Sequence, residues 1–159
     1  MVKQTDKITQ DNKQEIKTLR KDYFSAIGRR KSSRALVRLY KSDVTIGGTD
    51  IHKGEIVVNN KIAMAYFGKD KELICREPLN ITNTEGKFAV SIKVSGGGMT
   101  GQLDATVLGI ARALDKFDRE KLHTILKKKG MFTRDPRVRE RRKVGMGGKA
   151  RRKKQSPKR

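Results

Sequence analysis

The sequence predicts an α+β domain, a sheet covered on one side by helices, ending in a cationic tail with no core of its own. Three observations carry this reading. Short β-branched or aromatic runs bounded by Gly, Asp and Asn lie at 34–41 and 54–60, and an alternating run lies at 87–96. An apolar repeat at steps of four and three spans 102–117. Positive charge gathers in the last fifth of the chain, where residues 127–159 hold sixteen Lys or Arg against two Asp or Glu; residues 23–126 hold seventeen against eleven.

Taken in order, residues 1–22 are polar, with Ile8, Ile16 and Leu19 thinly spaced, and read as a disordered or loosely helical extension. A globular domain follows over 23–130 and a basic tail over 131–159. Within the domain, "RALVRLYK" (34–41) and "GEIVVNN" (54–60) are strand candidates. "KIAMAYFGKDKELICREPL" (61–79) reads as one or two short helices with Ala63, Met64, Phe67 and Ile74 inward and Pro78 as the stop. In "KFAVSIKVSG" (87–96) Phe88, Val90, Ile92 and Val94 form the buried face of a strand. A helix from Gln102 to Phe117 carries the stripe Leu103, Val107, Ile110, Leu114, Phe117. Asp118 then caps a second helix through Lys129, with Leu122, Ile125 and Leu126 inward and Gly130 ending it.

The charge balance narrows the function. With 39 Lys and Arg against 17 Asp and Glu the formal charge is +22, an excess that repels itself unless a polyanion offsets it. Nucleic acid is the leading partner. A membrane-surface protein wants Trp, Phe and Leu opposite a basic helix face, and the chain has no Trp. No stretch approaches the roughly 18 consecutive apolar residues of a membrane span. Residues 1–22 have one Arg, no Ser and four acids, unlike an organellar transit peptide. The expectation is a soluble, intracellular protein. The one cysteine, Cys75, reads as a buried small hydrophobe. His52 and His123 read as surface residues, and Asp115 and Asp118 as caps at a helix boundary; no metal site and no catalytic group emerges.

Two segments suit phosphate. "GRRKSS" places Arg29, Arg30 and Lys31 beside Ser32 and Ser33, followed by Arg34 and Arg38, and guanidinium groups bind phosphate oxygens bidentately while hydroxyls donate alongside. Gly96, Gly98 and Gly101 match G-x-G-x-x-G between a strand and a helix, where helix N-termini bind phosphate. That second segment has three readings: a nucleotide cofactor loop, a flexible turn, or a backbone surface of Gly96, Gly97 and Gly98 laid against RNA. The cofactor reading lacks a ribose-binding acid at a strand end and lacks Gly-Lys-Ser/Thr. The tail adds Arg134, Arg137, Arg139, Arg141, Arg142, Lys143, Lys149, Arg151, Arg152, Lys153 and Lys154, an arginine-rich run of the kind that orders on RNA.

"GRRKSS", "EPL" (77–79), "KVSGGGMTGQ" (93–102), "GIARAL" (109–114), "GMFTRDPRVRERRKVG" (130–145) and "KARRKK…KR", in that order, resemble the family of the bacterial-type ninth protein of the small ribosomal subunit over about residues 23–159. The resemblance implies a two-layer α/β domain of the type named after the second domain of the fifth small-subunit protein, with helices on one face of a mixed four-stranded sheet. It implies a cytoplasmic ribosomal component that binds small-subunit ribosomal RNA in the head, beside neighbouring head proteins, without cofactor, small-molecule substrate, membrane or enzymatic activity. It further implies that the extended tail reaches transfer RNA in the peptidyl site through Lys158 and Arg159. An extended path from Gly145 to Arg159 spans about 45–50 Å. A free architectural nucleic-acid binder is the alternative function.

Overall fold

A computed structural model describes residues 23–151. The expected extension over 1–22 and the tail cations Arg152, Lys153, Lys154, Lys158 and Arg159 lie outside the described residues. Strand β1 (Tyr23–Arg30) is one that the sequence reading does not mark. Its inward residues are Phe24, Ala26 and Gly28, and the small side chains hide the alternation. It turns through Lys31 and Ser32 into β2 (Ser33–Tyr40), with Ala26 opposite Val37 and Gly28 opposite Ala35.

β2 pairs antiparallel with β7 (Ala89–Ser95), and β7 pairs parallel with β5 (Ile56–Val58). β5 pairs antiparallel with β6 (Lys61–Ile62), giving a mixed five-stranded sheet in the order β1-β2-β7-β5-β6. That is one strand more than the resemblance implies. β5 stops at Val58, short of the expected 54–60 run, because Asn59 and Asn60 take left-handed φ values of 48° and 62° and turn the chain into β6; asparagine tolerates that conformation better than most residues. The Asn59 side chain then continues the sheet, donating from Nδ2 to Val94 O at 3.0 Å and accepting at Oδ1 from Val94 N at 2.9 Å.

The polar stretch between β2 and β5 is a hairpin, β3 (Val44–Ile46) and β4 (Thr49–Ile51), turning at Gly47 and Gly48. Ile51 packs with Tyr40, Val57 and Ala89, with Tyr23, Val44 and Ile46 around them. These residues cover one end of the outer sheet face.

The segment 61–81 holds two short helices, α1 (Ala63–Phe67) and α2 (Lys69–Ile81). Pro78 does not stop the second. It lies inside the helix, which runs on to Ile81, and its missing N–H removes one intrahelical bond. Thr82 Oγ1 closes the end by donating to Pro78 O at 2.8 Å. The inward set also shifts: Ala63 and Phe67 are buried, whereas Met64 and Ile74 are about half exposed. The buried stripe of α2 is Cys75, Pro78 and Leu79, one position out of phase with Ile74. Burial pushes the Cys75 thiol up to about 12, so it stays protonated and serves as a small apolar filler.

α3 (Met99–Phe117) is the central helix, lying against β1 and β2 on one side and against α2 on another. Its approach to β1 is close enough to require glycine at both partners. A Cβ on Gly28 would run into Ala105 O, and one on Gly109 would sit 2.6 Å from Val37 Cγ2. On the outer edge of the sheet, α3 reaches over β1: Arg112 Nη1 donates to Ile27 O at 3.0 Å and Lys116 Nζ to Ser25 O at 2.7 Å.

α4 (Arg119–Lys128) begins at Asp118, whose carboxylate accepts from Lys121 N at 3.2 Å, as the sequence predicts. Leu122 and Leu126 are buried, whereas Ile125 is about 42% exposed. His123 is not a plain surface residue. Its Nδ1 lies 2.8 Å from Asp115 Oδ1, and its ring stacks on Phe132 at 5.1 Å between centroids. Asp115 therefore holds His123 instead of capping a helix. Phe132 and Met131 pack against the core, so chain beyond α4 is still bound to the domain.

Candidate nucleic-acid interface

The β1–β2 register decides where the "GRRKSS" cations go. Strand alternation sends Arg29 to the outer face and Arg30 to the helical face. Arg29 stands directly opposite Arg34, both exposed, and among the described residues neither has a carboxylate partner. Like charges directly opposite on a sheet destabilise it. Arg34 in turn faces Ser95, and Lys93, exposed on β7, faces Leu36. Since the β3–β4 hairpin covers only the Tyr40 end of this face, these cations form an open patch at the other end. Arg38 lies farther along, its guanidinium carbon 5.6 Å from the Tyr23 ring centroid.

The turn between the strands adds Lys31 and Ser32, both exposed. Lys31 has φ 50°, a left-handed conformation that costs a side-chain-bearing residue about 1 kcal/mol or more. Lys31→Gly is expected to raise the melting temperature of the free protein by a few degrees while lowering RNA affinity, with the salt slope falling by about one unit. Equal affinity for the two proteins would show that the lysine contributes no contact.

Ser33 does not join this patch. It is 2% exposed, and its Oγ lies under the Gly96–Gly98 loop, close enough that a Cβ on Gly97 would collide with it. A Cβ on Gly96 would lie 2.6 Å from Ser32 O. Gly96 and Gly97 have φ values of 73° and 66°, so both space and backbone conformation demand glycine. The two phosphate-suited segments, more than 60 positions apart in the chain, are thus stacked on one another. Gln102 Nε2 holds the loop by donating to Gly96 O at 3.0 Å.

Arg30 does something else. Its side chain is 11% exposed, and it binds Asp135 Oδ2 at 2.8 Å, Arg137 O at 2.7 Å and Asp104 Oδ2 at 3.3 Å. The start of the tail is clasped to the domain by a residue that the sequence assigns to phosphate. Hydrogen bonds from Arg137, with its charge and that of Arg30, hold the Asp135 carboxyl well below the usual carboxylate range. A depressed pKa adds stability that is present above about pH 4 and is lost only as pH falls through the lower folded value. Slow amide exchange over 133–137 should therefore persist from pH 7 to pH 4, once intrinsic rates are corrected. Arg30→Met should abolish that protection and lower the melting temperature only slightly; retained protection would mean that Arg137 alone holds Asp135.

Arg134 and Arg137 at the clasp and Arg139, Arg141, Arg142, Lys143, Lys149 and Arg151 beyond it are all exposed. The chain is not extended throughout. Around Gly145, Gly147 and Gly148, all with left-handed φ, it turns back on itself, Lys143 N reaching Lys149 O at 3.4 Å and Arg151 reaching Glu140 at 3.1 Å. Among the described residues no group of His, Cys, Asp and Glu is placed to hold a metal ion, and no helix is long and apolar enough to cross a membrane.

Lys93 is the functional candidate that the sequence reading misses. Its outward position in the 87–96 alternation was legible, but its proximity to Arg34 depended on the register between β2 and β7.

A small α+β domain with an open cationic sheet end, stacked backbone loops and a long cationic extension has the charge distribution of the class of proteins that meet nucleic acid through its phosphates. The chain belongs to the ribosomal protein S9/S16 family, whose model it matches over residues 28–159. It is 44% identical over 129 residues to the small ribosomal subunit protein uS9 of Maridesulfovibrio salexigens, a match covering 80% of this chain and 91% of that protein. The family is structural and non-enzymatic, which closes the nucleotide-enzyme reading of the glycine loop.

Proposed function

We propose that this protein is a structural constituent of the small ribosomal subunit that grips ribosomal RNA with two separate surfaces. One is the sheet end carrying Arg29, Arg34 and Lys93 with Lys31, Ser32 and the Gly96–Gly98 loop. The other is the tail, from Arg134 through the cations outside the described residues. The observation that carries this reading is the Arg29–Arg34 pair: two guanidinium groups directly across a hairpin, with no carboxylate among the described residues to offset them. A phosphate between them turns that repulsion into two charge-assisted contacts.

The fold is of the type named after the second domain of the fifth small-subunit protein, a reading supported by the mixed sheet with α3 packed across it. The protein sits in the head of the subunit of a cytoplasmic ribosome beside other head proteins, and Lys158 and Arg159 touch peptidyl-site transfer RNA. Support for these points is the family membership and the placement of a cationic run at the far end of the chain.

The test is sedimentation of a tagged copy. Stoichiometric recovery with small subunits after a high-salt wash is expected, and release into the free pool would favour a general polyanion binder. Removing only Lys158 and Arg159 should leave incorporation intact and weaken retention of peptidyl-site transfer RNA; failed incorporation would contradict that division of labour.

A further inference from the structure

α3 is a helix of 19 residues with an uncompensated N-terminus. Gly98 at the N-cap has no side-chain hydrogen bond to offer, and the first turn contains no acidic residue. The first intrahelical bond is Gln102 N to Gly98 O at 2.9 Å, which leaves the N–H groups of Met99, Thr100 and Gly101 without an acceptor among the described residues. Met99 and Thr100 are exposed, and nothing lies within 4 Å of a Cβ position on Gly98, so solvent and ligands reach this turn freely.

A second observation concerns Ser33. Its hydroxyl is buried without a hydrogen-bond partner among the described residues, and it lies beneath this same turn, 2.9 Å from a Cβ position on Gly101. A buried hydroxyl left without a partner is destabilising, so a ligand that pairs with it gains accordingly. Cations flank the turn in sequence and register: Lys31 lies two residues before Ser33, and Arg34 stands opposite Ser95.

We propose that the N-terminus of α3 is a seat for one phosphate group of the RNA backbone, bound by the N–H groups of Met99, Thr100 and Gly101 and by the Ser33 hydroxyl. The partial positive charge of the helix end and the neighbouring cations favour the anion. This rests on the RNA-binding reading above and deepens it, since it makes one contact of that surface a fixed, backbone-built site that does not depend on the tail.

The experiment uses the full chain. Inorganic phosphate is titrated at constant ionic strength while amide resonances are followed, and hydrogen exchange over 95–103 is compared with and without a transcript of the small-subunit rRNA head. Two variants keep the fold. Met99→Pro removes one N–H at the first helical position, where proline is favoured, and Gly98, with φ −110° and ψ 169°, already has the backbone required before a proline. Ser33→Ala removes the hydroxyl.

Saturating shifts are expected at Thr100 and Gly101, weakened roughly threefold to tenfold in either variant, with the melting temperature unchanged or raised. The rRNA transcript should slow exchange over 95–103 in the unmodified chain. Shifts no larger than those along 138–151 would overturn the seat, as would variants that bind phosphate normally. Phosphate binding without protection by rRNA would overturn RNA as its source. Undiminished rRNA affinity with no seat at α3 leaves the broader reading standing, whereas failure of the unmodified chain to bind rRNA removes both.

Discussion

Gly28→Ala lowers the melting temperature by at least about 10 °C, the equivalent of about 2–3 kcal/mol in a domain of this size. The added methyl has nowhere to go: it meets Ala105 O, backbone of a helix that is itself wedged between the sheet and α2, so neither partner yields cheaply. Gly109→Ala works from the other side, yet its obstacle is a Val37 methyl 2.6 Å away, and a side chain shifts more readily than a backbone. Its effect is expected to be smaller. Gly98→Ala is the control, because its φ of −110° suits any residue and nothing lies within 4 Å. Thermal unfolding of the three variants checks the ranking. If Gly28→Ala melts with Gly98→Ala, the β1–α3 contact has room for a methyl group.

Ending the chain after Arg137 flattens the salt dependence of rRNA binding without unfolding the domain. The cut removes eleven of the 39 Lys and Arg and only one acid. It leaves Met131 and Phe132 on the core, and Asp135 and Arg137 in the clasp with Arg30. With half of the removed cations on phosphates, at roughly 0.7–0.9 per contact, the slope of log affinity against log salt falls by about four units. A cut at residue 127, where the charge count alone places the boundary, would also remove the core contacts of Met131 and Phe132 and confuse lost binding with lost folding. An unchanged slope after Arg137 would mean that the tail contacts no phosphate and that the domain carries the affinity.

What the sequence revealed followed the size of the side chains. The 87–96 strand, the 102–117 stripe and the Asp118 cap were legible because large apolar residues recur at the period of the element and because a cap is a local signal. β1 was not, since its inward face is built of Phe24, Ala26 and Gly28, chosen to admit a helix at short range. The phase of α2 was missed for a related reason. Ile74 is the more apolar residue, but Cys75 and Leu79 face the core. At the candidate interface the residue types were legible and their directions were not. Nothing in "GRRKSS" says that its first and second arginines point to opposite faces; that follows from a strand whose alternation the sequence concealed. Lys93 and the Ser33 hydroxyl became visible only through cross-strand register and through the stacking of one turn on another.

The two bonds from Arg112 and Lys116 to the carbonyls of β1 bear on the protein's life before it meets RNA. A terminal strand with open acceptors is a template on which a second copy can add. Because Ser25 O and Ile27 O are already occupied from within the chain, two of the carbonyls that such a pairing would use are taken. Arg112 and Lys116 thus use their donors inside the monomer to blunt an edge of the sheet, while Arg29, Arg34 and Lys93 stand open to a polyanion.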